Sequence, residues 1–138
     1  MRLKLVKRLV AVCCAGIMAA SAAACGASQD TRTEITVWSW EPSMKSVIAG
    51  FERENPDIHV IWKNTSGYDK LNNAIQDGYG TPDVVQLEYY ALRQYAVSSQ
   101  LVDITDRADN YQDFFTPGTW SSVQLNGRIY GLPMDSGP

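Results

Sequence analysis

The chain has 138 residues, and all 15 of its acidic side chains follow Cys25, whereas four of the 12 basic ones (Arg2, Lys4, Lys7 and Arg8) precede it. The body beyond Cys25 is therefore acidic, which argues against nucleic acid or an anionic surface as a partner. Cys13, Cys14 and Cys25 all lie near the start and His59 is the single histidine, so cysteine- or histidine-rich metal sites and any histidine-dependent triad confined to this chain are excluded, and no cofactor is expected.

Residues 1–25 have the layout of a secretory signal: the basic start, an apolar run from Leu9 to Ala20, then Ser21 to Ala24, all small. The run is too short, and too closely followed by polar sequence, to read as a membrane span. Small residues running into Cys25-Gly26 resemble a bacterial lipoprotein signal, in which the cysteine becomes the lipid-bearing first residue. Ala22 departs from that pattern, which prefers a larger aliphatic side chain there, so plain cleavage and secretion stays open beside acylation. An acyl chain on Cys25 would hold a soluble domain at the outer face of the cell membrane without spanning it. Residues 26–33 (GASQDTRT) are small, polar and aperiodic, as expected of a flexible spacer.

The body, residues 34–138, opens on Ile35-Thr36-Val37-Trp38, rich in β-branched and aromatic residues and suited to a buried strand. Ser43 is an expected N-cap, and Met44, Val47, Ile48 and Phe51 repeat at helical spacing. Pro56 disfavours helical geometry at Asn55 and closes that helix. Ile58 to Trp62 is the second strand, with His59 read as an ordinary mid-strand residue. Lys63 to Gly67 reads as a loop. Leu71, Ala74 and Ile75 mark a second helix ended by Gly78 and Gly80, and Val84 to Leu87 a third strand. Strand, helix, strand, helix, strand predicts a parallel sheet with flanking helices, an α/β fold. Ala91, Leu92, Tyr95 and Ala96 fit a further helix. Leu101 to Asp106 is a short extended piece leading to a turn, and Tyr111 to Trp120 is an aromatic segment broken by Pro117-Gly118. Asn126-Gly127 between Val123-Gln124-Leu125 and Arg128-Ile129-Tyr130 is a strong hairpin signal.

In parallel α/β sheets ligands lie beyond the carboxyl ends of the strands. That rule directs attention to Trp40 and Glu41, to the polar loop from Asn64 to Tyr68, and to Glu88, Tyr89 and Tyr90. Aromatic rings there offer a flat platform to the C–H side of a sugar, although core packing is the plainer reading of Trp38 and Trp62. The carboxylates of Glu41, Glu88 and Asp135 can each accept from two neighbouring hydroxyls, which suits a polyol; solvation or helix capping is the plainer alternative, above all for Glu41.

The order IxVWSW, FERENPDI, GTPDVVQL, LVDITD and NGRIYGLPMDSGP, behind a lipoprotein-like signal, resembles the extracellular solute-binding proteins (family 1) of bacterial ATP-driven importers, in the branch that binds sugars and oligosaccharides. Gln100 stands where that family often has glycine. The resemblance implies a type II periplasmic-binding-protein-like fold, of which residues 34–138 form a partial first lobe, with a second lobe closing over the ligand by a hinge. It implies Trp40, Glu41, Ser66, Glu88, Tyr89 and Asp135 as ligand contacts, a carbohydrate as ligand and the permease subunits of an ABC transporter as partners, and no catalysis. Two other readings are an exported glycoside hydrolase using two of Glu41, Glu88 and Asp135 as acid and base, and a truncated fragment without function.

Overall fold

The structure is a computed structural model and describes residues 30–134; the signal layout, Cys25 and Asp135 lie outside the described residues. Strand β1 runs over Thr33–Ser39, helix α1 over Met44–Glu54, β2 over Ile58–Asn64, α2 over Asp69–Asp77, β3 over Val84–Val85 and α3 over Tyr89–Val97. Then come α4 (Thr105–Ala108), a 3-10 segment (Asp109–Phe114), α5 (Pro117–Ser122) and a hairpin of β4 (Gln124–Leu125) and β5 (Arg128–Ile129).

The main sheet has the order β2-β1-β3, with both pairings parallel. β1 is central because it is flanked on both sides, and its first neighbour in sequence and its second lie on opposite edges. The gap between the carboxyl ends of β1 and β3 is therefore a topological switch point. β2 is longer than its apolar run: Lys63 and Asn64, expected in a loop, pair with Trp38 and Ser39. Backbone pairing to β1 continues past the last apolar residue because a ladder needs only amides and carbonyls. β3 is shorter than the run Val84 to Leu87, ending as a ladder at Val85. Its start is fastened instead by Asp83, whose Oδ2 accepts from the Thr36 N–H at 2.8 Å and the Thr36 hydroxyl at 2.7 Å.

Two apolar clusters lie on either side of α3. Trp38, Leu71, Ala91 and Tyr95 form one; Leu92, Ala108, Trp120, Val123 and Ile129 form the other. The helical period explains the split, since Ala91 and Tyr95 are four apart on one face and Leu92 is turned from them. The hairpin is docked by the Ile104 N–H donating to the Ile129 carbonyl at 2.8 Å and the Ile129 N–H donating to the Thr105 hydroxyl at 2.9 Å. Its tip has Asn126 at φ 51° and Gly127 at φ 76°, the left-handed pair that a two-residue hairpin turn requires.

One local expectation is corrected and another is sharpened. Ser43 precedes α1 but is itself helical in backbone (φ −64°, ψ −18°), and its side chain makes no capping bond. The break in Tyr111 to Trp120 falls just ahead of Pro117, after the 3-10 segment, and Pro117 opens α5 behind a Thr116 hydroxyl that accepts from the Thr119 N–H. A proline lacks the N–H that the first turn would leave unpaired, so it fits there without cost.

Candidate functional site

A cleft of about 250 Å3 lies at the carboxyl ends of the strands, lined by Trp40, Ser66, Gly67, Tyr68, Glu88 and Tyr90. Three connections contribute. Trp40 is the first residue past β1, Ser66 to Tyr68 follow β2, and Glu88 and Tyr90 stand at the start of α3. Each is carried by a junction where a strand ends and its side chains are released from the sheet.

Hydrogen bonds join these three connections. The Glu88 N–H donates to the Tyr68 hydroxyl at 3.0 Å. The Tyr68 ring meets Tyr90 edge-on, with centroids 6.3 Å apart, and Tyr95 at a tilt, 6.0 Å apart. The Tyr95 hydroxyl in turn donates to Asn72 Oδ1 at 2.7 Å, linking α3 to α2. Partial burial pushes the Tyr68 phenol above its ordinary value, so it stays a neutral hydroxyl. At the β1 side, Gln86 Oε1 accepts from the N–H groups of both Trp40 and Glu41, at 3.1 and 3.3 Å.

Of the six contacts that the family resemblance implied, Trp40, Ser66 and Glu88 are brought together in this cleft. Glu41 and Tyr89 are not among its lining. The Glu41 side chain accepts from the Ser43 N–H at 3.2 Å, within the turn that leads into α1. Tyr89 is half-buried against the cluster of Leu92, Trp120 and Ile129, because one step along the first turn of α3 rotates it about 100° from Tyr90. Asp135 lies outside the described residues.

The lining adds Tyr68, Gly67 and Tyr90. Both tyrosines were visible as aromatics at strand ends; helical phase is what selects Tyr90 over its neighbour. Gln86 carried no signal in the sequence, since a glutamine at the end of a strand is usually solvated.

Trp38 is buried in the core, and Trp62 is half-buried with its Nε1 donating to Ser39 Oγ at 2.7 Å. His59 ties β2 to α1: its Nδ1 lies 3.0 Å from Glu52 Oε1, which also accepts from the Val60 N–H at 2.8 Å. Among the described residues no three histidine, cysteine or carboxylate side chains converge as a metal site.

Residues 38–138 match the family of bacterial extracellular solute-binding proteins. The chain belongs to that family. Within it, the lactose-binding protein of Rhizobium radiobacter is 28% identical over 148 residues, an alignment that takes in 97% of this chain and 33% of that protein. Among solved solute-binding proteins, the ABC transporter associated binding protein of B. animalis subsp. lactis Bl-04, in complex with β-1,6-galactobiose, superposes with a TM-score of 0.73 at 49% identity, covering 77% of this chain and 27% of that one. The galacto-N-biose-/lacto-N-biose I-binding protein of the ABC transporter from Bifidobacterium longum, in complex with lacto-N-biose, gives a TM-score of 0.68 at 29% identity over 78% of this chain and 30% of that one. The chain thus spans about a third of the length of these solute-binding proteins. Its fold is that of a partial type II periplasmic-binding-like domain.

Proposed function

We propose that the protein captures a carbohydrate outside the cell and delivers it, uncut, to the membrane permease of an ABC importer. The observation that carries this reading is the cleft itself: Trp40, Tyr68 and Tyr90 stand beside the Glu88 carboxylate and the Ser66 hydroxyl at the ends of the sheet's strands. Rings supply apolar surface for the C–H face of a sugar, the carboxylate accepts from adjacent hydroxyls, and serine adds a neutral contact. A site made chiefly of flat rings and one exposed carboxylate is suited to holding a polyol. The saccharides held by the relatives, β-1,6-galactobiose and lacto-N-biose, support a disaccharide as the ligand.

In this reading residues 1–24 direct export and are removed, Cys25 becomes the first residue and carries the lipid, residues 26–33 span from the membrane surface, and residues 34–138 are the first part of the ligand-holding lobe. The layout of basic start, apolar run and small residues before Cys25 supports it.

The test is calorimetric titration of the protein expressed from its whole reading frame with β-1,6-galactobiose, lacto-N-biose and lactose. Saturable binding with the sugar recovered intact is the expected result. No heat with any of the three, or new reducing ends in the mixture, overturns the proposal.

A further inference from the structure

We propose that Gln86 is the positioning residue of the cleft: its amide oxygen holds the first two residues past β1 and thereby sets where the Trp40 ring stands. The β1–β3 ladder closes with the Gln86 N–H donating to the Trp38 carbonyl at 2.8 Å. Two residues past Trp38 β1 has ended, and the consecutive N–H groups of Trp40 and Glu41 have left the ladder. Gln86 Oε1 takes both, at 3.1 and 3.3 Å, using the two lone pairs of one carbonyl oxygen. These bonds are partly buried, so removing the acceptor strands two donors where water reaches them poorly.

The clamp runs in both directions. Gln86 gives its main-chain N–H to β1 and receives two main-chain N–H groups from just beyond it, so the exits of β1 and β3 cannot slide apart independently. Two residues further on, Glu88 supplies the acidic side of the cleft. One side chain therefore sets the spacing between the aromatic wall at Trp40 and the carboxylate wall at Glu88. A residue in this place needs an acceptor oxygen on a two-carbon stem; glutamate has one, and leucine has the shape without the oxygen.

The inference rests on the carbohydrate reading for its ligand, and its test separates the two. Amide exchange of Trp40 and Glu41, read by NMR without any ligand, is expected to be slow in the wild type and in Q86E and fast in Q86L. With β-1,6-galactobiose, Q86L is expected to bind about tenfold more weakly, the size of a lost hydrogen bond to a positioned group, and Q86E to recover most of that loss. In a Trp40→Ala background, Q86L is expected to cost almost nothing more, because both act through the same ring; a merely structural role would cost the same in both backgrounds. Equal amide exchange in wild type and Q86L, or a full Q86L penalty in the Trp40→Ala background, overturns the role of Gln86. If the wild type takes no saccharide, the carbohydrate reading fails, and Gln86 is judged on the exchange of the two amides alone. Should Q86L not fold, Q86A and Q86E carry the same comparison.

Discussion

The Tyr68 hydroxyl accepts a hydrogen bond from the Glu88 N–H at 3.0 Å, joining the connection after β2 to the start of α3 across the mouth of the cleft. An N–H at a helix start has no partner within its own helix, and here a phenol from another element supplies one. The same ring touches Tyr90 and Tyr95, so a single side chain serves the cleft and the core together.

Tyr68→Phe keeps those ring contacts and removes only the acceptor. A loss of about 1 kcal/mol is expected, seen by chemical denaturation. The phenol is raised above its ordinary value by partial burial, and a raised value means that its contribution is complete below about pH 10 and is lost as pH rises through the higher folded-state value. Wild type should therefore shed stability in that alkaline range, and Tyr68→Phe should shed less. Identical alkaline profiles would remove Tyr68 as the cause.

Asp83 predicts the acid limb. Hydrogen bonds from the Thr36 N–H and hydroxyl hold its carboxyl below the ordinary value of 3.8. A lowered value means that the contribution is present above 3.8 and is lost as pH falls through the folded-state value. Asp83→Asn, with one oxygen replaced by a donor, should be less stable at neutral pH and should lose less stability between about pH 5 and about pH 2 than wild type does. Denaturation midpoints across that range check it. Glu52 and Asp103 are shifted in the same direction, chiefly by the Val60 N–H and the Thr105 hydroxyl, so the mutant's slope flattens without vanishing.

Gly127 isolates a backbone effect. It sits at φ 76°, and a Cβ built there meets no atom within 4 Å. Gly127→Ala should therefore destabilise by about 1 kcal/mol through the left-handed conformation alone, without any clash. Thermal melting reads this. An unchanged midpoint would mean that the hairpin tip relaxes freely and does not help to seat Ile129 in the core.

Cys25→Ser tests the tether. Wild-type protein made in its bacterial host should incorporate labelled palmitate and stay with the membrane fraction, whereas Cys25→Ser should do neither. Equal label in both proteins rejects Cys25 as the acylated residue.

Much of the fold was legible from spacing. The alternation of extended and helical segments announced a parallel α/β sheet. The set Ala91, Leu92, Tyr95 and Ala96 proved to be the buried side of α3, and Asn126-Gly127 the turn of a hairpin. The site was legible only in part. The rule that loops at the carboxyl ends of parallel strands converge pointed to the connections that hold Trp40, Ser66 and Glu88, and the family resemblance picked out those residues within them. Whether Tyr89 or its neighbour faces the cleft depends on where α3 begins its first turn, and a shift of one position rotates a side chain by about 100°.

What the linear order determined by itself is the kind of fold and the residues at the strand ends, because periodicity and turn chemistry are local properties. What only the tertiary structure decided is which of those ends meet: that Gln86 reaches back to the amides of Trp40 and Glu41, and that Tyr68 takes the Glu88 N–H. Partners 46, 45 and 20 residues apart leave no periodic trace: the order β2-β1-β3 sets the exits of β1 and β3 side by side for the first two bonds, and for the third the Tyr68 side chain joins connections from opposite edges of the sheet.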